Sequence, residues 1–115
     1  MSHADSTTLA DNAQLALLAR IEQALEARRA RIDDDVKNYP RPITGCDVQF
    51  EYALEQQAGV RKELQRAAAL RDAVEHVQFA QAVTEFLSDS AFIEAAVARE
   101  ITASLAALAQ EQAAE

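Results

Sequence analysis

Cys46 is the one residue of this chain whose type and position suggest covalent chemistry. It follows Thr44 by two positions, and Thr44-Gly45-Cys46-Asp47 has the spacing of a capping box, which predicts a helix starting at Thr44. A thiol in the first turn of a helix sits at the positive end of the helix dipole, which favours the thiolate. A nucleophilic cysteine also needs a base. The two histidines are His3, near the N-terminus, and His76. On a straight helix His76 would lie roughly 45 Å from Cys46. Packing within the turn is therefore the expected role of Cys46. A reactive thiol, in a small redox or ligand-binding protein that uses the 38–47 turn, is the alternative.

Other catalytic constellations fare worse. His76 has Asp72 one turn before it and Glu75 beside it, but a di-iron bundle repeats Glu-x-x-His on two helices. Position 73 is alanine and no second helix carries a histidine, so His76 reads as structural or capping. Two histidines and one cysteine cannot furnish a Cys/His zinc site in one chain. With only Gly45 and Gly59, no glycine loop can cradle a phosphate. Glu51 and Glu55, at i and i+4, read as solvated carboxylates. No catalytic residue, metal or cofactor is predicted, and the chain is not expected to be an enzyme.

Binding residues are easier to nominate. Tyr39 and Arg41 flank Pro40 in a turn, and both types anchor interfaces. Tyr39 has a competing role as a plug packed on Phe50 or Tyr52. Residues 1–71 have a net charge of −1, whereas residues 72–115 reach −7 with Arg99 as their only basic residue. That asymmetry disfavours nucleic acid and anionic lipid as partners of the C-terminal half and favours a basic protein. Glu85, Glu94 and Glu100 are its candidate contacts; a merely solubilising face is the alternative. The arginines at 28, 29 and 31, and the basic stretch Arg61, Lys62, Arg66 and Arg71, are expected to be neutralised within the protein. Arg28, Arg29 and Arg31 should face the region of Glu51 and Glu55, and Asp33, Asp34 and Asp35 also lie close by in sequence.

The elements that must position these residues are helical. A polar tail over 1–7 precedes a helix over 8–37, where Thr8 and Asp11 have capping-box spacing and Leu18, Ile21, Leu25 and Ile32 form a stripe. Arg28 falls where that stripe wants an apolar residue, so its stem should lie along a neighbouring helix. Pro40 and Pro42 end this helix. A second helix is predicted over 44–87, with Ile43 and Val48 as a staple around the Thr44 cap. Gly59 weakens it by roughly 1 kcal/mol. The favoured reading keeps it continuous or merely kinked; a break near 71–75, with Asp72 and Glu75 as an internal capping box, is the alternative. Ser88 should cap a last helix over 88–112, with Leu87 and Phe92 as its staple. Phe79, Phe86 and Phe92 gather around the second turn as core; exposure of one of them for docking is the alternative.

A continuous middle helix would span about 60–65 Å, with the first helix along one half and the last along the other. Of the 50% of residues that are hydrophobic, 26 are alanine, which favours helix but buries little area. The expected fold is all-α: a long antiparallel hairpin of three or four helices, one domain over 8–115, completing four-helix cross-sections by homodimerisation. No run of 18 apolar residues predicts a membrane span, and the N-terminus lacks a secretory pattern. A single cysteine suits a reducing, cytoplasmic setting. The predicted function is that of an acidic adaptor, accessory subunit or regulator acting through helical faces. A weaker alternative is an acidic inhibitor of a nucleic-acid-binding protein.

Overall fold

The computed structural model describes the backbone of residues 2–74 and 78–114 and the side chains of residues 12–74 and 78–111. His76 and Glu75 lie outside the described residues, as does the His3 side chain. Among the described residues four α-helices follow one another: α1 (Ser2–Lys37), α2 (Val48–Ala69), α3 (Phe79–Asp89) and α4 (Ala95–Ala114). A short 3-10 helix, Leu70–Ala73, follows α2, and there is no strand among the described residues. The backbone is already helical at Ser2, so the polar residues read as a tail extend α1.

The apolar stripe of α1 is buried as expected: Leu18, Ile21, Leu25 and Ile32 all join the core. They meet Val60 and Ala67 of α2, Phe79, Val83 and Phe86 of α3, Phe92 of the connection, and Ile101 and Leu105 of α4. All three phenylalanines around the second turn are buried. Between α1 and α2, Asp33 meets Gln57 and Glu22 meets Arg71, so rising numbers on one helix pair with falling numbers on the other. The same inversion relates α1 to α4, through Arg31–Glu94 and Arg20–Glu100.

Three boundaries differ from the sequence reading. First, α2 begins at Val48 with Asp47 as its N-cap. The Asp47 N–H closes a turn onto the Thr44 carbonyl at 3.3 Å, and the Asp47 carboxylate accepts the Phe50 N–H at 3.0 Å. A carboxylate outcompetes a threonine hydroxyl for this role because it adds charge at the positive end of the helix. The proposed staple is absent, since Val48 is 74% exposed.

Second, the middle helix is not continuous. The Leu70 N–H is shared between the Ala67 and Ala68 carbonyls, the next turn tightens into the 3-10 helix, and Val74 is extended (φ −59°, ψ 136°). No glycine or proline forces this. The apolar face of α3 does, because only a chain that turns back sets Phe79, Val83 and Phe86 into the same core as Val60 and Ala67. The Arg66 guanidinium then lies 5.3 Å from the centre of the Phe86 ring, within cation–π range.

Third, Ser88 lies inside α3, and Ser90 organises the next connection. Its hydroxyl accepts the N–H groups of Ile93 (3.1 Å) and Phe92 (3.3 Å). The Ser90 hydroxyl in turn donates to Glu63, whose other oxygen accepts the Ala91 N–H at 2.8 Å. Glu63 is only 4% exposed, and these bonds satisfy its carboxylate. Beside it, a Cβ built on Gly59 would lie 3.0 Å from the Phe92 ring. Gly59 is thus the seat for Phe92, and the helix propensity it gives up is offset by that close approach.

Candidate interaction surfaces

The residues nominated from sequence fall into two regions. Tyr39, Arg41 and Cys46 share the turn between α1 and α2. The Tyr39 hydroxyl donates to Asp47 at 2.8 Å, and its ring meets Phe50 edge-on, with centroids 5.0 Å apart. Tyr39 therefore packs on Phe50, the second of its two expected roles. The pair of bonds has electrostatic consequences. The Phe50 N–H, then the Tyr39 hydroxyl, hold the Asp47 carboxyl below the usual range. The same bond to Asp47 raises the Tyr39 phenol. Arg41 and Cys46 are exposed. Cys46 precedes the Asp47 cap and so lies outside the first turn of α2, where a helix N-terminus would have activated it.

The acidic candidates lie apart from that turn. Glu85, on α3, accepts a bond from Gln81 at 3.1 Å. Glu94 stands 4.0 Å from Arg31, and Glu100 takes a 3.0 Å bond from Arg20. Part of the acidic excess is thus answered by α1 arginines. Arg29 pairs with Glu26 and Asp33 rather than with Glu51 or Glu55. Asp33 is the hub of this seam: Gln57 donates to it at 2.8 Å, and Arg29 and Arg61 lie beside it. The Gln57 bond is the largest influence holding the Asp33 carboxyl below its ordinary range.

Two open grooves lie along α1 that the sequence reading missed. One, of about 460 Å³, runs between α1 and α4 over Ala13, Ala16, Leu17, Ile101, Ala107 and Leu108, with Arg20, Glu100 and Glu111 at its rim. The other, of about 280 Å³, lies between α1 and α2 over Ile32 and Ala53, rimmed by Arg28, Arg31, Asp35, Tyr52 and Gln56. Arg28 lies half-buried here, and has neither an ion pair nor a hydrogen bond among the described residues. Its interruption of the α1 stripe was the signal that could have located this cleft. Glu63 carried a comparable signal, as an acid at i+3 from Val60 and i−4 from Ala67 on one helix face.

No group of metal-binding side chains occurs among the described residues, and none of their helices is long and apolar enough to cross a membrane. No protein family, curated protein or solved structure matches the chain.

Proposed function

We propose that this chain is a small acidic helical interaction module, an adaptor, accessory subunit or regulator, that pairs with a second copy and engages partner proteins through its helical faces. The observation that carries this reading is the incomplete enclosure of its long helices. The molecule measures 63 × 24 × 17 Å, with a radius of gyration of 17.9 Å. A compact chain of this length would have about 13 Å. An elongated shape leaves apolar surface uncovered at the ends, and Leu15, Val48, Tyr52 and Leu54 are all substantially exposed. Val48, Tyr52 and Leu54 fall together at the start of α2, and exposed large apolar side chains close together favour association.

The acidic α3–α4 region supports a basic partner, since Glu85, Glu94 and Glu100 remain exposed at the surface despite their internal contacts. An exposed thiol at Cys46 fits a reducing, cytoplasmic compartment. The test of self-association is the molar mass in solution. Light scattering at micromolar concentration should give about twice 12.6 kDa. A mass that stays monomeric as concentration rises refutes pairing.

A further inference from the structure

The two grooves lie on one side of α1. Ala13, Leu17 and Arg20 border the first, and Arg28, Arg31 and Asp35 border the second. Their spacings of three and four continue a single stripe along the helix. At 1.5 Å per residue, Leu17 and Arg31 are about 21 Å apart along it. Each groove is walled by only two helices, α1 with α4 at one end and α1 with α2 at the other. Their rims differ in charge. The α1–α2 cleft offers Arg28, which has no ion pair among the described residues, and Arg31, 4.0 Å from Glu94, with Asp35 as the one acid on its rim. The α1–α4 groove offers Glu111, which has no ion pair among the described residues, beside the Arg20–Glu100 pair, which leaves its rim net acidic.

We propose that a second copy of this chain docks antiparallel on this side of α1, so that the arginine-rimmed α1–α2 cleft of each copy receives the glutamate-rimmed α1–α4 end of the other. This rests on the reading of the chain as a self-associating module. Because the grooves share one side, a twofold axis near Ala24, midway between Leu17 and Arg31, engages both at once and closes the assembly. Each two-helix end then gains two helices, and Leu17, Leu108 and Tyr52 leave water. Arg28, which has no ion pair among the described residues of its own chain, then meets carboxylates of the second copy. Opposite rim charges fix the antiparallel register, because a parallel arrangement would set arginine rim against arginine rim.

Disulfide trapping tests the register. In a Cys46→Ser background, the double variant Gln56→Cys/Glu111→Cys joins positions that this register sets opposite each other. Mild oxidation should link two full-length chains covalently, while each single-cysteine variant stays unlinked. Arg28→Glu/Arg31→Glu should weaken association about tenfold or more, with the helical circular-dichroism signal retained. A dimer by light scattering in which the double variant does not cross-link, or in which the single variants link to themselves, overturns this register and leaves self-association standing. A persistent monomer overturns both. A ladder of higher masses on oxidation also overturns it, since it indicates open head-to-tail chains.

Discussion

The core that holds Phe92 joins buried side chains from α1, α2, α3 and α4, whereas the cleft toward the Asn38–Asp47 turn is walled by α1 and α2. The middle is held by volume: Phe92 fits over a glycine, and Val60, Ile21 and Leu25 have no exposed surface. The end is held by directed polar bonds, with Asp47 tying Phe50 to Tyr39 and Asp33 tying Gln57 to Arg29. A stretch two helices thick has no third wall against which to bury a stripe, so orientation there comes from hydrogen bonds and apolar side chains stay wet. On the proposed reading, stability and association are thereby separated along the molecule. Substitutions in the middle should unfold the chain, and substitutions at the ends should change what it binds.

The largest expected effect is at Phe92. Phe92→Ala empties the space between Gly59 and the core and should cost about 3–4 kcal/mol in chemical denaturation. Gly59 sharpens this through coupling. Gly59→Ala in the native background drives a methyl group against the Phe92 ring at 3.0 Å. In a Phe92→Leu background that contact is relieved, and the same change should recover up to about 1 kcal/mol of helix propensity. A double-mutant cycle that shows no coupling between the two positions would mean that the ring is not seated on the glycine.

Glu63 comes next. Glu63→Ala leaves the Ser90 hydroxyl and the Ala91 N–H without their acceptor in a buried site and should cost about 2 kcal/mol. Glu63→Gln keeps one carbonyl oxygen and should recover part of that loss. Equal melting temperatures for the alanine and glutamine variants would show that the side chain's bulk, and not its bonds, fixes the α3–α4 connection.

The same division explains what was legible beforehand. Periodicity exposed the stripe Leu18, Ile21, Leu25 and Ile32, because a core-facing helix repeats every three to four residues whatever it packs against. The turn was legible from Pro40 and Pro42. The break after Ala69 was legible only as the less favoured alternative, because Ala67-Ala68-Ala69-Leu70 is locally a good helix and the distant burial of α3 interrupts it. The cap was misplaced by three residues because both Thr44 and Asp47 can cap. The Tyr39 hydroxyl, which favours Asp47, arrives from the preceding helix. The grooves were hidden for a related reason: each forms between helices whose packing, α1 with α4 and α1 with α2, no local pattern specifies.

At the α1–α2 end the expected effect is smaller and is read through pH. Asp47 and Asp33 both have folded-state pKa values below the ordinary carboxyl value, chiefly through the Phe50 N–H and the Gln57 amide respectively. On acidification the unfolded chain takes up these protons first, so protonation favours unfolding. Their contribution is present above an unfolded pKa of about 3.9 and is lost as pH falls through the folded values. Asp47→Asn and Asp33→Asn should each flatten the stability–pH profile below about pH 4. A variant profile parallel to that of the native chain there would show that the bonds do not favour the charged form.

The smallest expected effect on stability is at the solvent-facing wall of the α1–α2 cleft. Tyr52 is 61% exposed, and no hydrogen bond or ion pair holds it among the described residues. Tyr52→Ser should therefore change the unfolding free energy of the isolated chain by less than about 0.5 kcal/mol. Its effect on association should be larger, because an exposed aromatic beside two arginines is the kind of side chain on which binding energy concentrates. Chemical denaturation at high dilution reads the first quantity, and the dissociation constant by sedimentation reads the second. A variant that loses stability at dilution but associates as the native chain does would place Tyr52 among the groups that hold α1 to α2. The end would then resemble the middle, and the division between a folding section and binding ends would fail at this position.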